Sequence, residues 1–150
     1  MDDLYFDDFH LGQTFTSRAV TITRERLIAF AEEFDPQPAH LGEAQAASSQ
    51  FGELVASGWQ TGSLTMRLQY ESAFSRIAGG GMGTRVELNW LRPVRPGDSL
   101  HVTVEVTEMR PSKSRPDRGL ITFLTTTINQ DGEKVQTMLG VVITPRRVQA

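Results

Sequence analysis

The sequence predicts an α+β fold in which an antiparallel β-sheet wraps around one long central helix. Three observations predict it. Apolar side chains recur at helical spacing within residues 24–75, apolar and polar side chains alternate within residues 84–144, and turn-forming segments separate the alternating runs. Alternating strands that follow one another through short turns pair antiparallel and bury one face. The long helix is the element available to cover that face.

Length and charge limit the classes of protein that fit. With 150 residues and 39% hydrophobic side chains, the chain is the size of one domain with a substantial core, and we interpret residues 1–150 as a single domain. A net charge of −3 argues against nucleic acid as a partner. No stretch has the roughly 18 apolar residues that a spanning helix needs, and the amino terminus lacks a signal-peptide pattern. We therefore expect no membrane partner.

Cysteine and histidine usage narrows the site chemistry. The chain has no cysteine, so disulfides and thiolate metal sites are excluded, and a cytoplasmic location fits. His10 and His101 stand apart from other potential ligands, and His101 falls on the outward phase of its strand, where we expect it to be exposed. No cluster of histidines and carboxylates has metal-ligand spacing. We therefore predict no metal.

The first half of the chain predicts one strand and three helices. TFTSRAVTIT (14–23) is rich in Thr and alternates, which indicates a strand. Thr23 can cap the first helix, which must end by Asp35 because a residue before proline is pushed out of the α region. EAQAASSQ (43–50) is typical of a short, weak helix. SGWQTGSLTMRLQYESAF (57–74) carries apolar or small residues around most of its circumference, as a helix buried against a sheet does.

The second half predicts four strands after a glycine-rich turn, AGGGMG (78–83). The strand candidates are RVELNWL (85–91), LHVTVEVTEM (100–109), GLITFLTTTI (119–128) and VQTMLGVVIT (135–144). In the second of them the apolar side chains alternate strictly over residues 100–106, so one face is expected to be buried. About five strands around one long helix is the arrangement of a hot-dog fold.

The segment FDPQPAH (34–40) places a carboxylate and an imidazole on a stiff turn. Pro36 and Pro38 fix φ, and the residues before them are biased to extended geometry. Acid–base catalysis needs groups held in place, and Asp35 can take a proton from water while His40 orients that water or donates a proton. The same spacing fits a plain helix stop at Asp35 and a surface imidazole, and spacing alone favours that second interpretation.

Ser57 and Gly58 open the long helix. A helix amino terminus presents unpaired N–H groups and a partial positive charge, and glycine lets a ligand approach the backbone. Such a position can hold the oxygen of a polarised carbonyl. Ser57 is also a plain N-cap under either interpretation. Carbonyl polarisation beside a water-activating pair suits the hydration of an α,β-unsaturated thioester.

Two stretches resemble the MaoC-like family, the (R)-specific enoyl-CoA hydratases. The stretch FDPQPAHLGEAQAASSQFGELVASGWQTGSL (34–64) resembles their hydratase motif, with matches at Asp35, Pro38, His40 and Gly58. The stretch NWLRPVRPGDSLHVTVEV (89–106) resembles their strand–turn signature, with matches at Pro93, Val94, Gly97 and Asp98. The resemblance covers roughly residues 14–144.

This resemblance implies a hot-dog hydro-lyase that reversibly adds water to a trans-2-enoyl-CoA thioester. By resemblance, Asp35 is the general base toward water, His40 orients the water and helps return a proton to Cα, and the Gly58 N–H stabilises the enolate oxygen. Coenzyme A enters as part of the substrate, with no separate cofactor. A homodimer or dimer of dimers is implied, with the acyl-CoA tunnel at the interface. Two alternatives stay open: a thioesterase on the same fold, and a non-catalytic subunit that binds acyl thioesters.

The sequence departs from the family pattern at two places. Gln37 stands where the motif has Asn, which would reposition Asp35 if that amide fixes the loop. A serine that often faces the site aligns near Met66 here, with Ser63 one turn away. Independently of the family, Gly62 costs the helix about 1 kcal/mol against Ala, so we expect close backbone approach there.

Basic residues and the two tryptophans are the remaining candidates. Two basic groups are candidates for contacting the phosphates of coenzyme A. One group consists of Arg110, Lys113, Arg115 and Arg118 in and beside the loop 111–119, and the other consists of Arg92 and Arg95. A solvated loop is the simpler interpretation of the first group, and the second stays open. Trp59 and Trp90 are interpreted as core anchors.

Overall fold

The helices and strands occur in the predicted order in the computed structural model, which describes residues 2–147. The strands are β1 (Thr14–Thr16), β2 (Val20–Thr21), β3 (Met82–Trp90), β4 (Ser99–Pro111), β5 (Arg118–Ile128) and β6 (Lys134–Pro145). The α-helices are α1 (Arg24–Phe34), α2 (Glu43–Ala46) and α3 (Gly58–Ser72), and single 3₁₀ turns span Phe6–Asp8, Pro38–His40 and Phe74–Arg76.

The strands form one antiparallel sheet against which α3 packs. The order across the sheet is β1-β4-β5-β6-β3, and the short β2 also pairs with β4. All the strand pairs are antiparallel. The predicted α+β architecture is therefore confirmed, with six strands in place of about five.

The first predicted strand is divided in two, and the prediction of one continuous strand over residues 14–23 was wrong. The division begins at Ser17, whose Oγ accepts a hydrogen bond from the Val102 N–H at 2.9 Å. A side-chain oxygen thus takes the place that a backbone carbonyl would hold in a regular ladder. The pairing with β4 resumes only at Val20.

The boundaries of α1 follow the predicted local rules. The Thr23 side chain accepts a hydrogen bond from the Arg26 N–H at 3.3 Å, which satisfies one of the unpaired donors of the first turn. The helix ends at Phe34, and Asp35 leaves the helical region because Pro36 follows it. This stop places the Asp35 side chain at the carboxyl end of α1.

The alternation predicted for β4 produces the centre of the core. Leu100, Val102, Val104 and Val106 are all almost completely buried. Three of them meet Leu68 of α3 in one cluster with residues of β5, and Leu100 belongs to a second cluster beneath α1. Burial of an aliphatic side chain of this size contributes about 1.5–3 kcal/mol, so these side chains hold α3 and α1 against the sheet.

A chain of buried polar groups fixes the register of α3 on the sheet. Gln136 of β6 donates to the Thr65 hydroxyl at 2.9 Å and accepts from the Trp90 indole N–H at 3.0 Å. The Thr65 and Thr127 hydroxyl oxygens lie 2.6 Å apart. Because each buried group has a partner, the network positions the first turns of α3 beside the end of β3.

The interpretation of the two tryptophans as core anchors was wrong. Trp59 is 59% exposed and Trp90 is 48% exposed, and their rings pack edge to face with centroids 5.4 Å apart. Both lie on the side of the molecule where β3 ends the sheet. No element among residues 2–147 covers that side.

Within residues 2–147, none of the helices combines the length and the hydropathy that a bilayer crossing requires.

Candidate active site

The turn after α1 brings its two titratable side chains to the start of α3. The backbone N–H of Gln37 donates to the Asp35 carbonyl at 2.8 Å, and the 3₁₀ turn Pro38–His40 follows directly. The Val55 N–H then donates to the Ala39 carbonyl at 3.0 Å, which ties this turn to the segment that leads into α3. The stiff turn and the amino end of α3 are therefore held together by backbone hydrogen bonds.

Asp35 and His40 lie side by side. The Asp35 Oδ2 and the His40 Nε2 are 3.5 Å apart, and the imidazole is buried. The His40 Nδ1 is 2.7 Å from the Val55 carbonyl oxygen. A carbonyl oxygen can only accept, so Nδ1 carries the proton and Nε2 of the neutral ring presents its lone pair toward Asp35.

Two further side chains hold the Asp35 carboxylate. The Ser57 hydroxyl donates to Oδ2 at 2.6 Å, and the Gln37 side-chain amide donates to Oδ1 at 2.7 Å. The Ser57 hydrogen bond is the main cause that lowers the pKa of Asp35, with smaller lowering from Gln37 and His40, while burial opposes them. Asp35 is therefore an oriented carboxylate that stays ionised at neutral pH.

Sequence reasoning did not assign the role that Ser57 has toward Asp35. Its hydroxyl oxygen accepts from the Trp59 N–H at 3.2 Å, as an N-cap does, and its proton goes to Asp35. From the sequence, the position of Ser57 before Gly58 predicted only that it caps α3. Gln37 reaches Asp35 despite its extra methylene, so the departure from the motif leaves the carboxylate held by an amide.

Gly58 lies at the first turn of α3 and borders the same cavity as Asp35 and His40. Its N–H has no hydrogen-bond partner among residues 2–147, as expected for a first helical residue. A methyl group at Gly58 would lie 2.5 Å from the Trp90 indole ring. The Trp90 indole N–H also donates to the Gly58 carbonyl at 3.0 Å. The indole therefore requires glycine here.

The shared cavity has a volume of about 430 Å³, which is within the range of small-molecule sites. Polar groups of Asp35, Gln37 and His40 border one part of it. The remaining lining is mainly apolar and aromatic, and includes Phe51, Val55, Trp59, Trp90, Val94 and Val135. The cavity thus joins a carboxylate and its neighbouring imidazole to apolar walls.

The two basic groups that are candidates for contacting the phosphates of coenzyme A lie at opposite ends of the sheet. Arg92 borders the cavity and pairs with Glu133 at 2.9 Å, while Arg95 pairs with Glu53 at 2.8 Å. The loop 111–119 joins β4 to β5 at the opposite end of the sheet, where Arg118 pairs with Pro145. The cavity lies at the Lys134 end of β6, and the 12 residues of that strand separate the two places by about 35 Å.

Ser63 and Met66, the helix positions at which the sequence departs from the family pattern, lie away from the cavity. The Ser63 hydroxyl donates to the Trp59 carbonyl at 2.8 Å, and Met66 is exposed on the side of α3 that faces β3. The expectation of close backbone approach at Gly62 was wrong, because a methyl group there would meet only side-chain atoms, of Leu88 at 3.5 Å and of Gln136 at 3.8 Å, which are ordinary contact distances. Among residues 2–147, no group of three or more potential ligands is placed to hold a metal ion.

Replacing Ser57 by Ala is expected to move the acid limit of activity to higher pH. A carboxylate with a lowered pKa stays ionised below its ordinary value near 3.9, and activity that needs it is lost as pH falls through that lowered pKa. Without the Ser57 hydroxyl, the pKa of Asp35 rises, so activity is lost earlier on acidification. The pH dependence of kcat/KM measures this shift.

Thr23→Ala is the matched control for Ser57→Ala. Both substitutions remove an N-cap, at a cost of about 1 kcal/mol in stability, but Thr23 makes no contact with Asp35 in its cap. An equal shift of the acid limit in both variants would mean that stability, and not the Asp35 hydrogen bond, sets it.

Gly58→Ala is expected to lower kcat/KM by about 10²-fold, because displacement of a reacting group by about 1 Å costs that much. The added methyl group meets the Trp90 ring at 2.5 Å, so either the indole or the start of α3 must move. Gly62→Ala is the control on the same helix, because its methyl group fits. Equal kinetics for the two variants would contradict a special role for Gly58.

A family model and a solved structure both match this chain, and both are MaoC-like. A family model described as a MaoC like domain matches residues 8–127. A crystal structure of a MaoC-like dehydratase from Rhodospirillum rubrum superposes with a TM-score of 0.92 at 45% sequence identity, covering 97% of this chain and 99% of that chain. The predicted hot-dog arrangement of sheet and helix is thereby confirmed.

Three curated relatives extend the comparison. The uncharacterized protein YdeM of Bacillus subtilis is 34% identical over 86% of this chain and 90% of its own length. A 3-hydroxybutyryl-CoA dehydratase of Methylorubrum extorquens is 35% identical over 75% of this chain and 69% of its own length. An (R)-specific enoyl-CoA hydratase of Rhodospirillum rubrum is 32% identical over 83% of each chain.

Proposed function

The chain belongs to the MaoC-like dehydratase family, and from that premise we propose that it is a hydro-lyase that reversibly adds water to a trans-2-enoyl-CoA thioester. One observation carries the proposal: Asp35, His40 and Gly58, whose N–H has no hydrogen-bond partner among residues 2–147, border one cavity with apolar walls. The names of the two relatives that act on CoA thioesters support the substrate class. Coenzyme A arrives with the substrate, and the reaction needs no separate cofactor.

Asp35 and His40 hold the attacking water between them. The Asp35 Oδ2 and the His40 Nε2 are both acceptors, and their separation of 3.5 Å lets one water donate to each. Asp35 takes a proton from this water as the water oxygen bonds to Cβ. His40, fixed by its hydrogen bond to Val55, orients the water, and its Nε2 then takes the proton from Asp35 and delivers it to Cα.

Gly58 meets the charge that develops on the substrate. As the water oxygen bonds to Cβ, the electrons of the double bond shift toward the thioester and its oxygen becomes an enolate oxygen. The Gly58 N–H lies at the positive end of α3 and donates to that oxygen. Protonation of Cα restores the thioester carbonyl, so the net change is addition of H and OH across the double bond.

The assay must separate hydration from two other outcomes. With crotonyl-CoA, hydration removes the absorbance of the conjugated thioester and leaves the thioester bond intact. A thioesterase instead releases the free thiol of coenzyme A, which a thiol reagent detects. A subunit that only binds acyl thioesters changes neither signal, although crotonyl-CoA still raises its melting temperature. Loss of enoyl absorbance without thiol release is the expected result.

The protein is proposed to work as a homodimer through one uncovered apolar face. This face, which we call the apolar side face, consists of the exposed residues Trp59, Met66, Tyr70, Val86 and Trp90. Trp59 packs on Trp90, and Met66 and Val86 border the same small cavity, so α3 and β3 both contribute to this face. The nine-residue strand β3 ends the sheet beside it. An exposed apolar edge strand is typical of a surface that pairs with a second chain.

Val86→Lys is expected to convert the dimer to a monomer, because the substitution buries a charge in the apolar side face. The measurement is molecular mass by sedimentation or light scattering. Asn89→Lys adds the same charge to the opposite face of β3, where Asn89 pairs with Thr137, and is expected to leave the mass unchanged. A monomeric wild-type protein, or a dimeric Val86→Lys variant, would contradict this interface.

A further inference from the structure

Thr61 lies against the active-site cavity, one turn into α3 from Gly58. The residue is only 3% exposed, and it borders that cavity together with Gly58. Residues three positions apart lie on the same side of a helix, and helical side chains lean toward the amino terminus. The Thr61 side chain therefore lies over the turn that begins with the unpaired Gly58 N–H.

The Thr61 hydroxyl is the one hydroxyl group of α3 without a hydrogen-bond partner among residues 2–147. The other three, on Ser63, Thr65 and Ser72, each bond to another group of the protein. A helical threonine ordinarily bonds to the carbonyl three or four positions earlier, and no such bond forms at Thr61. Its hydroxyl group is therefore not used by the fold.

The two carbonyl groups within reach of a helical threonine at this position already accept other donors. The Ser57 carbonyl accepts from the Gln60 N–H at 3.0 Å and from the Thr61 N–H at 3.3 Å. The Gly58 carbonyl accepts from the Trp90 indole N–H at 3.0 Å. The hydroxyl proton of Thr61 is consequently left for an acceptor from outside the chain.

The Thr61 hydroxyl is also open to the cavity. Side-chain polar atoms that lack a partner and are fully enclosed occur on Gln60 and Arg76 within residues 2–147, and the Thr61 oxygen is not one of them. An oxygen that is neither paired nor enclosed has open space beside it, and the active-site cavity is the space that Thr61 borders. Since nearly all buried polar groups have a partner, this one is available to a ligand.

We propose that the Thr61 hydroxyl donates a second hydrogen bond to the thioester oxygen of the substrate, beside the Gly58 N–H. The inference rests on the proposed function of the same site. The thioester oxygen gains negative charge as it becomes an enolate oxygen, so a donor aimed at it stabilises the transition state more than the bound substrate. The proton stays on the Thr61 oxygen throughout, and the addition of H and OH is unchanged.

Thr61→Val removes the hydroxyl group and keeps the branched shape of the side chain. We expect kcat/KM for crotonyl-CoA hydration to fall by about 10²-fold, as on removal of one such donor. Butyryl-CoA cannot be hydrated, and its affinity is expected to fall by about 5- to 10-fold, the effect of one ordinary hydrogen bond. Fluorescence of Trp59 and Trp90, which border the cavity, follows this titration. Thr61→Ser keeps a hydroxyl and is expected to recover most of both losses.

The melting temperature separates a role toward the substrate from a role in the fold. Thr61→Val removes no hydrogen bond within the protein, so its melting temperature is expected to equal that of the wild type. Thr65→Val, the same substitution about one turn later, removes the bonds to Thr127 and Gln136 and is expected to melt earlier. Ser63→Ala removes a hydroxyl that does not border the active-site cavity, and is expected to leave the kinetics unchanged.

The results that overturn the inference differ from those that overturn the hydro-lyase activity. Equal kcat/KM and equal butyryl-CoA affinity in the wild type and Thr61→Val would remove the proposed hydrogen bond. A Thr61→Val variant that melts earlier or does not fold would show that the hydroxyl serves the fold. A wild-type protein that binds butyryl-CoA but leaves crotonyl-CoA unchanged would contradict the hydro-lyase activity alone, because weaker butyryl-CoA binding by Thr61→Val would still support the hydrogen bond. A wild-type protein that binds neither thioester would overturn both.

Discussion

Replacing Asp35 by Asn is expected to lower kcat/KM for enoyl-CoA hydration by about 10² to 10⁴, the usual contribution of one acid–base group. Asn has nearly the same shape and can still accept the Ser57 hydrogen bond at the position of Oδ2. It cannot take a proton from water at neutral pH. The loss should therefore lie in kcat with the protein still folded, as followed by the decay of enoyl absorbance.

Glu33→Gln is the matched control for Asp35→Asn. It neutralises another carboxylate of the same region, exposed on α1, and is expected to leave the kinetics unchanged. If the two variants retain equal activity, Asp35 is not the general base. The turn would then act only as the stop of α1, as its spacing also allows.

Replacing His40 by Gln is expected to lower kcat/KM over the same range, about 10² to 10⁴. The substitution removes the imidazole whose Nε2 faces Asp35 at 3.5 Å and whose Nδ1 is fixed by Val55 at 2.7 Å. A glutamine amide does not transfer protons as an imidazole does. The measurement is the hydration rate of crotonyl-CoA, with circular dichroism to check the fold.

His40→Asn and His101→Gln make the test of His40 specific. Asn keeps a donor near the position of Nδ1, so His40→Asn preserves the hydrogen bond to Val55 while still removing Nε2, and should be as slow as His40→Gln. His101 is partly buried on the outer face of β4, and His101→Gln should be as fast as wild type. Activity in His40→Asn near the wild-type value would show that only the hydrogen bond to Val55 matters.

Local rules in the sequence predicted the parts of the fold that depend on neighbours along the chain. The end of α1 at Asp35 follows from Pro36, and the burial of β4 follows from strict alternation over residues 100–106. The long helix begins where Ser57 can cap it. Each of these features is decided within a few residues, so one sequence contains the information.

The features that were missed depend on contacts between distant parts of the chain. Ser57 and Asp35 are 22 positions apart, and only the packing of the turn against α3 brings the hydroxyl to the carboxylate. The exposure of Trp59 and Trp90 follows from β3 being the edge of the sheet, because an apolar residue on an edge is uncovered until another chain packs there. Alternation alone does not reveal which strand is the edge.

The double variant Asp35→Asn/His40→Gln tests the central claim most directly. If both groups act on one water, losing the second group lowers the rate little once the first group has been removed. The kcat/KM of the double variant for crotonyl-CoA hydration is measured beside those of the two single variants. We expect the double variant to be slower than the slower single variant by no more than about tenfold, since residues that act as a unit are strongly non-additive. A double variant whose loss equals the product of the two single losses would contradict the account, because Asp35 and His40 would then act independently.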